Sequence, residues 1–344
     1  MIATLIALSM ALGRTQDAPK PMFFDGTGSH TRQVATSSPL AQRWFNQGLA
    51  FMFAFNHDEA VRSFQEAARV DPNCAMAYWG IATALGPNIN NPTVEPEAAT
   101  KAYEAIQKAD AILKGKSGVE RDLVSAQLKR YSKDPSAPRG PLDKAYAQAM
   151  RGVWSAHPKD TDIGALTAES LMDLHPWDLW THEGAPRPWT PEIRQILNDV
   201  LKLDNKHPLA LHLTIHSTES SAHPEDGLYA AHAIADLEPG MGHMVHMPSH
   251  TYVRTGDWDG AITTNEKAIA ADEAYFAKRP EQGFYLIYMA HNHQMLAYAA
   301  MMVGRSKDRI DGIDALVNML PMELQEAYAP FLDGYLAAIY EARI

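Results

Sequence analysis

The chain has 344 residues and a formal charge of −11, with 30 Lys and Arg against 41 Asp and Glu. A hydrophobic fraction of 46% with 21% charged residues excludes a disordered chain. The acidic balance and the absence of a basic stripe argue against nucleic acid as a partner. A single cysteine excludes a disulfide framework. Histidine is the unusual residue: there are 15, and most of them lie between His207 and His293.

The N-terminus carries the longest apolar run, residues 2–13. It is shorter than the roughly 18–20 apolar residues that span a bilayer, so we predict no membrane span. The run has the length of a signal-peptide core, although no Lys or Arg precedes it, and cleavage would follow Ala18. We predict that residues 1–40 are an N-terminal tail and favour a signal peptide and an exported, periplasmic protein. The alternative is a tail without targeting function on a cytoplasmic protein.

The first organised segment alternates large and small residues and ends in a proline. Its members are Trp44, Gly48, Phe51, Ala60, Phe64, Ala67 and Pro72. Small residues opposite large ones let two antiparallel helices pack closely, and the proline ends the second helix. The pattern resembles the tetratricopeptide repeat (TPR) at all but one signature position, where Gln47 replaces the usual Leu. The resemblance implies a fold and says little about chemistry.

Apolar residues at helical spacing recur along residues 41–319, and no alternating strand pattern is found. The resemblance therefore implies an all-α, TPR-like α-solenoid of about seven helical hairpins with loop insertions. The longest insertion, residues 175–189, carries three tryptophans. We predict that Trp177 and Trp180 of this loop, with Glu169 of the preceding helix, form a wall over a substrate site. A plug that packs against the solenoid is the alternative.

Residues 320–344 have the pattern of one helix with apolar residues over much of its surface. Solenoids normally end in a cap with a polar outer face. We therefore expect this helix either to form a homo-oligomer with a second copy or to belong to a truncated sequence.

In a TPR solenoid the first helices of successive hairpins line the concave groove. Registers taken from the repeat pattern place seven side chains from three such helices there: His212, His216, Glu219, His243, His246, His250 and His291. Two histidines four residues apart on one helix can bind one metal ion, and packed helices lie about 8–10 Å apart. One such pair is often coincidence. Two pairs on neighbouring helices with independent registers predict a transition-metal centre.

Pro248 lies within the helix that carries the second pair, between His246 and His250. Proline removes a backbone donor and crowds the preceding turn of a helix. The helix therefore either kinks there, which would separate His243 and His246 from His250, or begins near Pro248.

The predicted function is a metal-binding, TPR-like protein that acts as a metal-dependent enzyme on a small molecule. His216, His246 and His250 are the leading candidate ligands, and Glu219 is a ligand or the general base. Imidazole with carboxylate suits Zn, Fe or Cu. Zinc would support a hydrolase or lyase, and iron or copper an oxidoreductase. The alternative is a TPR scaffold that binds a peptide or partner protein in the groove without catalysis.

Overall fold

The computed structural model describes residues 20–322, and every regular element among them is a helix. The predicted signal peptide and most of the predicted terminal helix at 320–344 lie outside the described residues. No helix of the described part is both long and apolar enough to cross a membrane. The helices are α1 Pro39–Phe53, α2 His57–Val70, α3 Ala75–Ala84, α4 Pro96–Ile112, α5 Val119–Gln127, α6 Arg139–Ala156, α7 Thr161–Met172, α8 Thr190–Leu203, α9 Pro208–Thr218, α10 Leu228–Ile234, α11 Gly242–His246, α12 Pro248–Thr255, α13 Trp258–Lys278, α14 Tyr285–Met302 and α15 Ser306–Met319.

The helix boundaries follow from local chemistry. Side chains of Ser38, Asn56, Asp160 and Asp257 accept a backbone N–H bond at the first turns of α1, α2, α7 and α13. Such caps satisfy donors that have no partner within the helix. At the end of α12, Gly256 adopts a left-handed conformation with φ +82°, which a residue without Cβ adopts at little cost.

Helices that follow each other along the chain pack as seven hairpins, in which the broken pair α11 and α12 is the first helix of the sixth. This confirms the predicted all-α, TPR-like solenoid. The small and large residues of the TPR-like signature stabilise the fold by packing against each other. A Cβ atom on Gly48 would lie 2.7 Å from the Phe64 ring, and one on Gly80 would lie 2.6 Å from it. Three helices therefore pack around Phe64 at a distance that only glycine allows.

The solenoid closes on itself, because its first hairpin meets its sixth. The carboxylate of Glu59 in α2 accepts hydrogen bonds from Arg279 Nε at 3.0 Å and from Tyr275 Oη at 3.2 Å. The side chains of Glu59 and Arg279 are each only 2% exposed. A second contact joins the second hairpin to the seventh: Asn90 Nδ2, between α3 and α4, donates to Tyr288 Oη of α14 at 3.1 Å. The concave side is therefore an enclosed interior rather than an open groove.

Residues 20–38 form an extended segment that is tied to the helices. The backbone N–H of Phe24 donates to Gln47 Oε1 at 2.9 Å, and the N–H of Gly240 donates to the carbonyl of Gly26 at 2.9 Å. Farther along, the guanidinium of Arg32 donates to both carboxylate oxygens of Asp160, at 2.7 and 2.9 Å. Gln47 departs from the TPR pattern because its amide binds this segment.

Candidate metal centre

Six of the predicted histidines meet inside the closed solenoid in two groups of three. In each group, one ring nitrogen of every residue lies within 4.8 Å of the others. The A group is His212, His216 and His243, from α9 and α11. The B group is His246, His250 and His291, from α11, α12 and α14.

In the A group, hydrogen bonds turn Nε2 of two rings toward the shared space. Nδ1 of His212 donates to the carbonyl of Phe53 at 2.9 Å, and Nδ1 of His216 donates to Glu219 Oε1 at 2.8 Å. Because carbonyl and carboxylate oxygens only accept, Nε2 of each ring keeps its lone pair. Both Nε2 atoms, and both ring nitrogens of His243, are buried without a hydrogen-bond partner. A buried polar atom without a partner costs about 1–3 kcal/mol, and these nitrogens are free to bind a ligand.

In the B group, two lone pairs face each other. Nδ1 of His250 donates to Glu219 Oε2 at 2.8 Å, and Nδ1 of His246 donates to Asn265 Oδ1 at 2.7 Å. The amide of Asn265 is oriented by its own Nδ2 bond to the carbonyl of Ala261 at 2.8 Å. Both Nε2 atoms therefore carry a lone pair, and they lie 2.9 Å apart. Two lone pairs repel at that distance unless a proton or a metal ion accepts them.

The third member of the B group is oriented in the same way. Nδ1 of His291 lies 2.8 Å from Gln294 Oε1 and donates to it, which leaves Nε2 to face the group. Across both groups, five of the six rings thus have Nδ1 bound to an acceptor. Histidines that bind metals use one nitrogen for the ion and donate the other to such an acceptor.

Glu219 serves both groups, with one carboxylate oxygen for His216 and the other for His250. Burial alone would raise its pKa, but the charge of His250 and the hydrogen bonds from His216 and His250 hold the pKa well below its ordinary value. The carboxylate is therefore ionised at neutral pH. Since both oxygens accept from imidazole N–H groups, the arrangement suits a residue that orients ligands better than a general base.

Burial favours the neutral form of the imidazoles of His212, His243, His246 and His291. Burial lowers the pKa of His212, His243 and His246 well below the ordinary value, and neighbouring histidines lower it further. The same two causes lower the pKa of His291 to about 4. Neutral imidazole is the form that binds a metal ion, so no proton has to leave these rings first.

Pro248 interrupts the helix that carries His243, His246 and His250. The break falls between α11, which carries His243 and His246, and α12, which carries His250. The ring of His243 lies 5.0 Å from that of His212, while the rings of His246 and His250 stay 4.7 Å apart. The helix is interrupted as expected, but Met247 between the two segments keeps helical angles, φ −50° and ψ −40°, and the expected separation of His246 from His250 was wrong.

Two strained aromatic residues cover the A group. Phe55 and Trp177 are the only non-glycine residues with positive φ in the described part of the chain, at 56° and 60°. The Phe55 ring lies 4.4 Å from His212, and the Trp177 ring meets His216 edge-on at 5.1 Å. Such backbone costs about 1–3 kcal/mol per residue and clusters at functional sites. The sequence analysis missed Phe55, because a phenylalanine after a TPR helix has the pattern of a core residue.

A cavity of about 10 Å³ reaches the A group beside His216. It has room for one water-sized molecule. Trp177, 52% exposed, stands at its mouth, while Trp180 is held by an Nε1 bond to the carbonyl of Ser217 at 2.9 Å. The lining residues are Ile89, Met172, His175, Trp177, Leu179, Trp180, His216 and Ser220.

Glu169, the third residue predicted for this wall, is not among the lining residues. It belongs to a buried charge cluster with Arg130 and Asp173. Burial raises the pKa of Glu169 to about 7, and the positive charge of Arg130 opposes this rise.

A third set of metal-ligating residue types, outside the two groups, is fully hydrogen-bonded. Asp162 Oδ1 accepts from His30 Nε2 at 2.8 Å and from His207 Nε2 at 3.0 Å, and its Oδ2 accepts from Arg32 at 2.9 Å. The remaining nitrogen of His207 accepts the N–H of Ala210 at 3.2 Å. This set fastens the N-terminal segment to α7 and differs from the two histidine groups, whose Nε2 atoms converge.

Neither a protein-family model nor a curated protein matches the chain. Chains of solved structures do match it, and among them is the crystal structure of the TPR domain of P58(IPK). The two are 13% identical over 84% of this chain and 96% of that chain, with a TM-score of 0.23. The TPR-like fold of this chain rests on its own helix pairs and on their packing around Phe64.

Proposed function

We propose that the closed solenoid holds a transition-metal centre between its histidines and acts there on a small molecule. The observation that carries the proposal is the set of buried ring nitrogens in the A group that have no hydrogen-bond partner. Core histidines ordinarily satisfy both nitrogens. Here Nε2 of His212 and of His216 converges with His243 in one place.

The donor set indicates which metals fit. The two groups offer six imidazoles, and the only cysteine, Cys74, is buried at the start of α3 and is not among them. Imidazole ligands suit Zn, Cu, Fe or Ni, whereas iron–sulfur clusters need cysteine thiolates, which the two groups lack. When bound, such an ion supplies a Lewis acid or a redox centre. The chain's own contribution is orientation, with Glu219 holding one ring of each group.

Enclosure of the site supports chemistry on a small molecule. His212 and His246 are fully buried, and His216 is only 4% exposed. The cavity beside His216 ends at Trp177, so a ligand that reaches the ring must be small or must displace that side chain. Exclusion of water strengthens electrostatic interactions inside an active site. A storage or delivery protein, by contrast, needs an ion that exchanges easily.

A helical-repeat scaffold of this kind also offers surfaces for proteins or peptides. The concave side does not favour that use here. The Glu59–Arg279 contact closes it, and residues 20–38 lie along it. A protein partner would have to bind the outer faces of the helices, which leaves the histidine groups to the small molecule.

Metal content of the untagged full chain tests the proposal. We expect near-stoichiometric transition metal in the wild-type protein and its loss in the His216→Ala/His246→Ala variant. The matched control is His223→Ala/His232→Ala, which removes two exposed histidines and should leave the metal bound. Absence of metal from a correctly folded wild-type protein, checked by circular dichroism, would refute it.

A further inference from the structure

The six imidazoles fall into two ligand sets of three. Close approach of all three ring nitrogens occurs within the A group and within the B group, and a further set of His216, Glu219 and His250 joins the two groups through the carboxylate. The groups adjoin: ring centres are 5.2 Å apart for His216 and His250, and 5.7 Å apart for His243 and His246. Two ions held by three imidazoles each would therefore lie side by side.

Glu219 links the two sets physically. Its Oε1 accepts from a ligand of the A group and its Oε2 from a ligand of the B group, each at 2.8 Å. One ionised carboxylate thus orients one ring in each set. A movement of this side chain would reorient one ring in each set at the same time. Such coupling is expected when two ions act together.

Charge narrows the choice of metal. The ligands are six imidazoles, which are neutral when they bind an ion, and Glu219 is the one carboxylate that contacts them in the described part of the chain. Two divalent ions would place four positive charges against one negative charge in a buried site, and uncompensated buried charge is costly. Two monovalent ions lower the excess of positive charge from three to one. Among the metals that imidazole suits, copper has a stable monovalent state and also the highest affinity in the divalent series.

The cavity narrows the choice of ligand. It reaches His216 of the A group, where the two groups adjoin, and its volume of about 10 Å³ matches a water-sized molecule. Its walls are mostly apolar, with Ile89, Met172 and Leu179 among them. Dioxygen is apolar and has only two heavy atoms, so it suits these walls and this small volume better than an organic substrate does.

We infer that the two groups bind a pair of copper ions and that dioxygen is the molecule which reacts with them. This inference rests on the proposed function and specifies its metal and its substrate. The electrons balance within the site: each of two Cu(I) ions gives one electron, dioxygen takes both, and two Cu(II) ions result. No further reactant is needed for this step.

The experiment uses the full chain loaded with Cu(I) under anaerobic conditions. We expect two copper ions per chain before dioxygen is admitted, and uptake of one dioxygen for every two coppers. The oxidised pair should be silent in electron paramagnetic resonance, because neighbouring Cu(II) spins cancel. His212→Ala and His291→Ala each remove one ligand of a different group. Each variant should keep one copper, lose the dioxygen uptake and show a Cu(II) resonance signal after chemical oxidation.

His223→Ala is the matched control, since it removes an exposed imidazole and should keep both coppers. One copper per chain, or two coppers that remain visible by resonance and take up no dioxygen, would overturn the inference. Zinc bound in preference to copper would overturn it as well, while leaving the proposed metal centre standing. Absence of any bound metal would refute both.

Discussion

Replacement of Glu219 by glutamine separates the roles of orientation and charge in the histidine site. The carboxylate accepts one N–H bond from His216 and one from His250. A glutamine amide keeps a single acceptor oxygen and places an N–H₂ donor where the second oxygen was. One of the two rings must then turn or change its tautomer. The affected ring would carry its proton on Nε2 and could no longer bind the ion.

The size of the effect follows from these contacts. A hydrogen bond to a charged group contributes about 1.5–3 kcal/mol, and loss of a carboxylate behind a ligating histidine lowers metal affinity by about 10–100-fold. That range corresponds to about 1.4–2.8 kcal/mol. Because one ring loses its hydrogen bond to residue 219 and the other keeps it, we expect the full loss of affinity for one of the two ions. The affinity for the neighbouring ion should fall less.

Competition with a chelator of known affinity measures this change on the full chain. The matched control is Glu225→Gln, which alters the carboxylate of an exposed histidine pair, Glu225 with His223, whose contact is 3.1 Å. The control should bind metal as the wild type does. If Glu219→Gln bound metal with unchanged affinity, the carboxylate would not orient the ligands and the argument from tautomers would be wrong.

Three further predictions concern stability. Arg279→Ala removes one of the two arginine partners of the buried Glu59 carboxylate on α2, the other being Arg62, and should cost about 1.5–3 kcal/mol in urea unfolding of the metal-free protein; an unchanged midpoint would show that the contact does not hold the solenoid closed. Gly48→Ala places a Cβ 2.7 Å from Phe64 and should lower the free energy of unfolding by about 1–3 kcal/mol. Gly152→Ala on α6 places a Cβ with no atom within 4 Å and should raise the free energy of unfolding by about 0.5–1 kcal/mol. Burial raises the pKa of Glu238 to about 8 from 4.5, so the folded protein keeps a proton that the unfolded chain releases above about pH 4.5. Glu238 alone should therefore lower the free energy of unfolding by about 3–5 kcal/mol as the pH rises from about 4.5 to 8, in addition to the effect of other groups such as Glu169, and Glu238→Gln should remove that contribution; equal slopes in the two proteins would contradict the argument.

The repeat pattern was enough to predict the fold and the residues that meet in the interior. Gly48 and Phe64 mark a helix pair because only small residues allow that spacing, and this constraint is local in the sequence. The register that the repeat pattern gives for α11 placed His243 and His246 on the concave side. Helical periodicity was therefore sufficient to predict which six histidines meet in the interior.

The division of that set into two groups could not be predicted. It depends on which ring each Nδ1 acceptor orients, and Asn265 and Gln294 have no special pattern in the sequence. Closure of the solenoid depends on Glu59 and Arg279, which are 220 residues apart. Sequence periodicity contains no information about contacts at that separation.

Anomalous X-ray diffraction from crystals of the protein with its bound metal tests the central claim most directly. The account predicts peaks where Nε2 of His212 and of His216 converges with His243, and where Nε2 of His246 converges with Nε2 of His250. Absence of a peak at both places in metal-containing crystals would contradict it, as would a single peak at the Asp162 cluster.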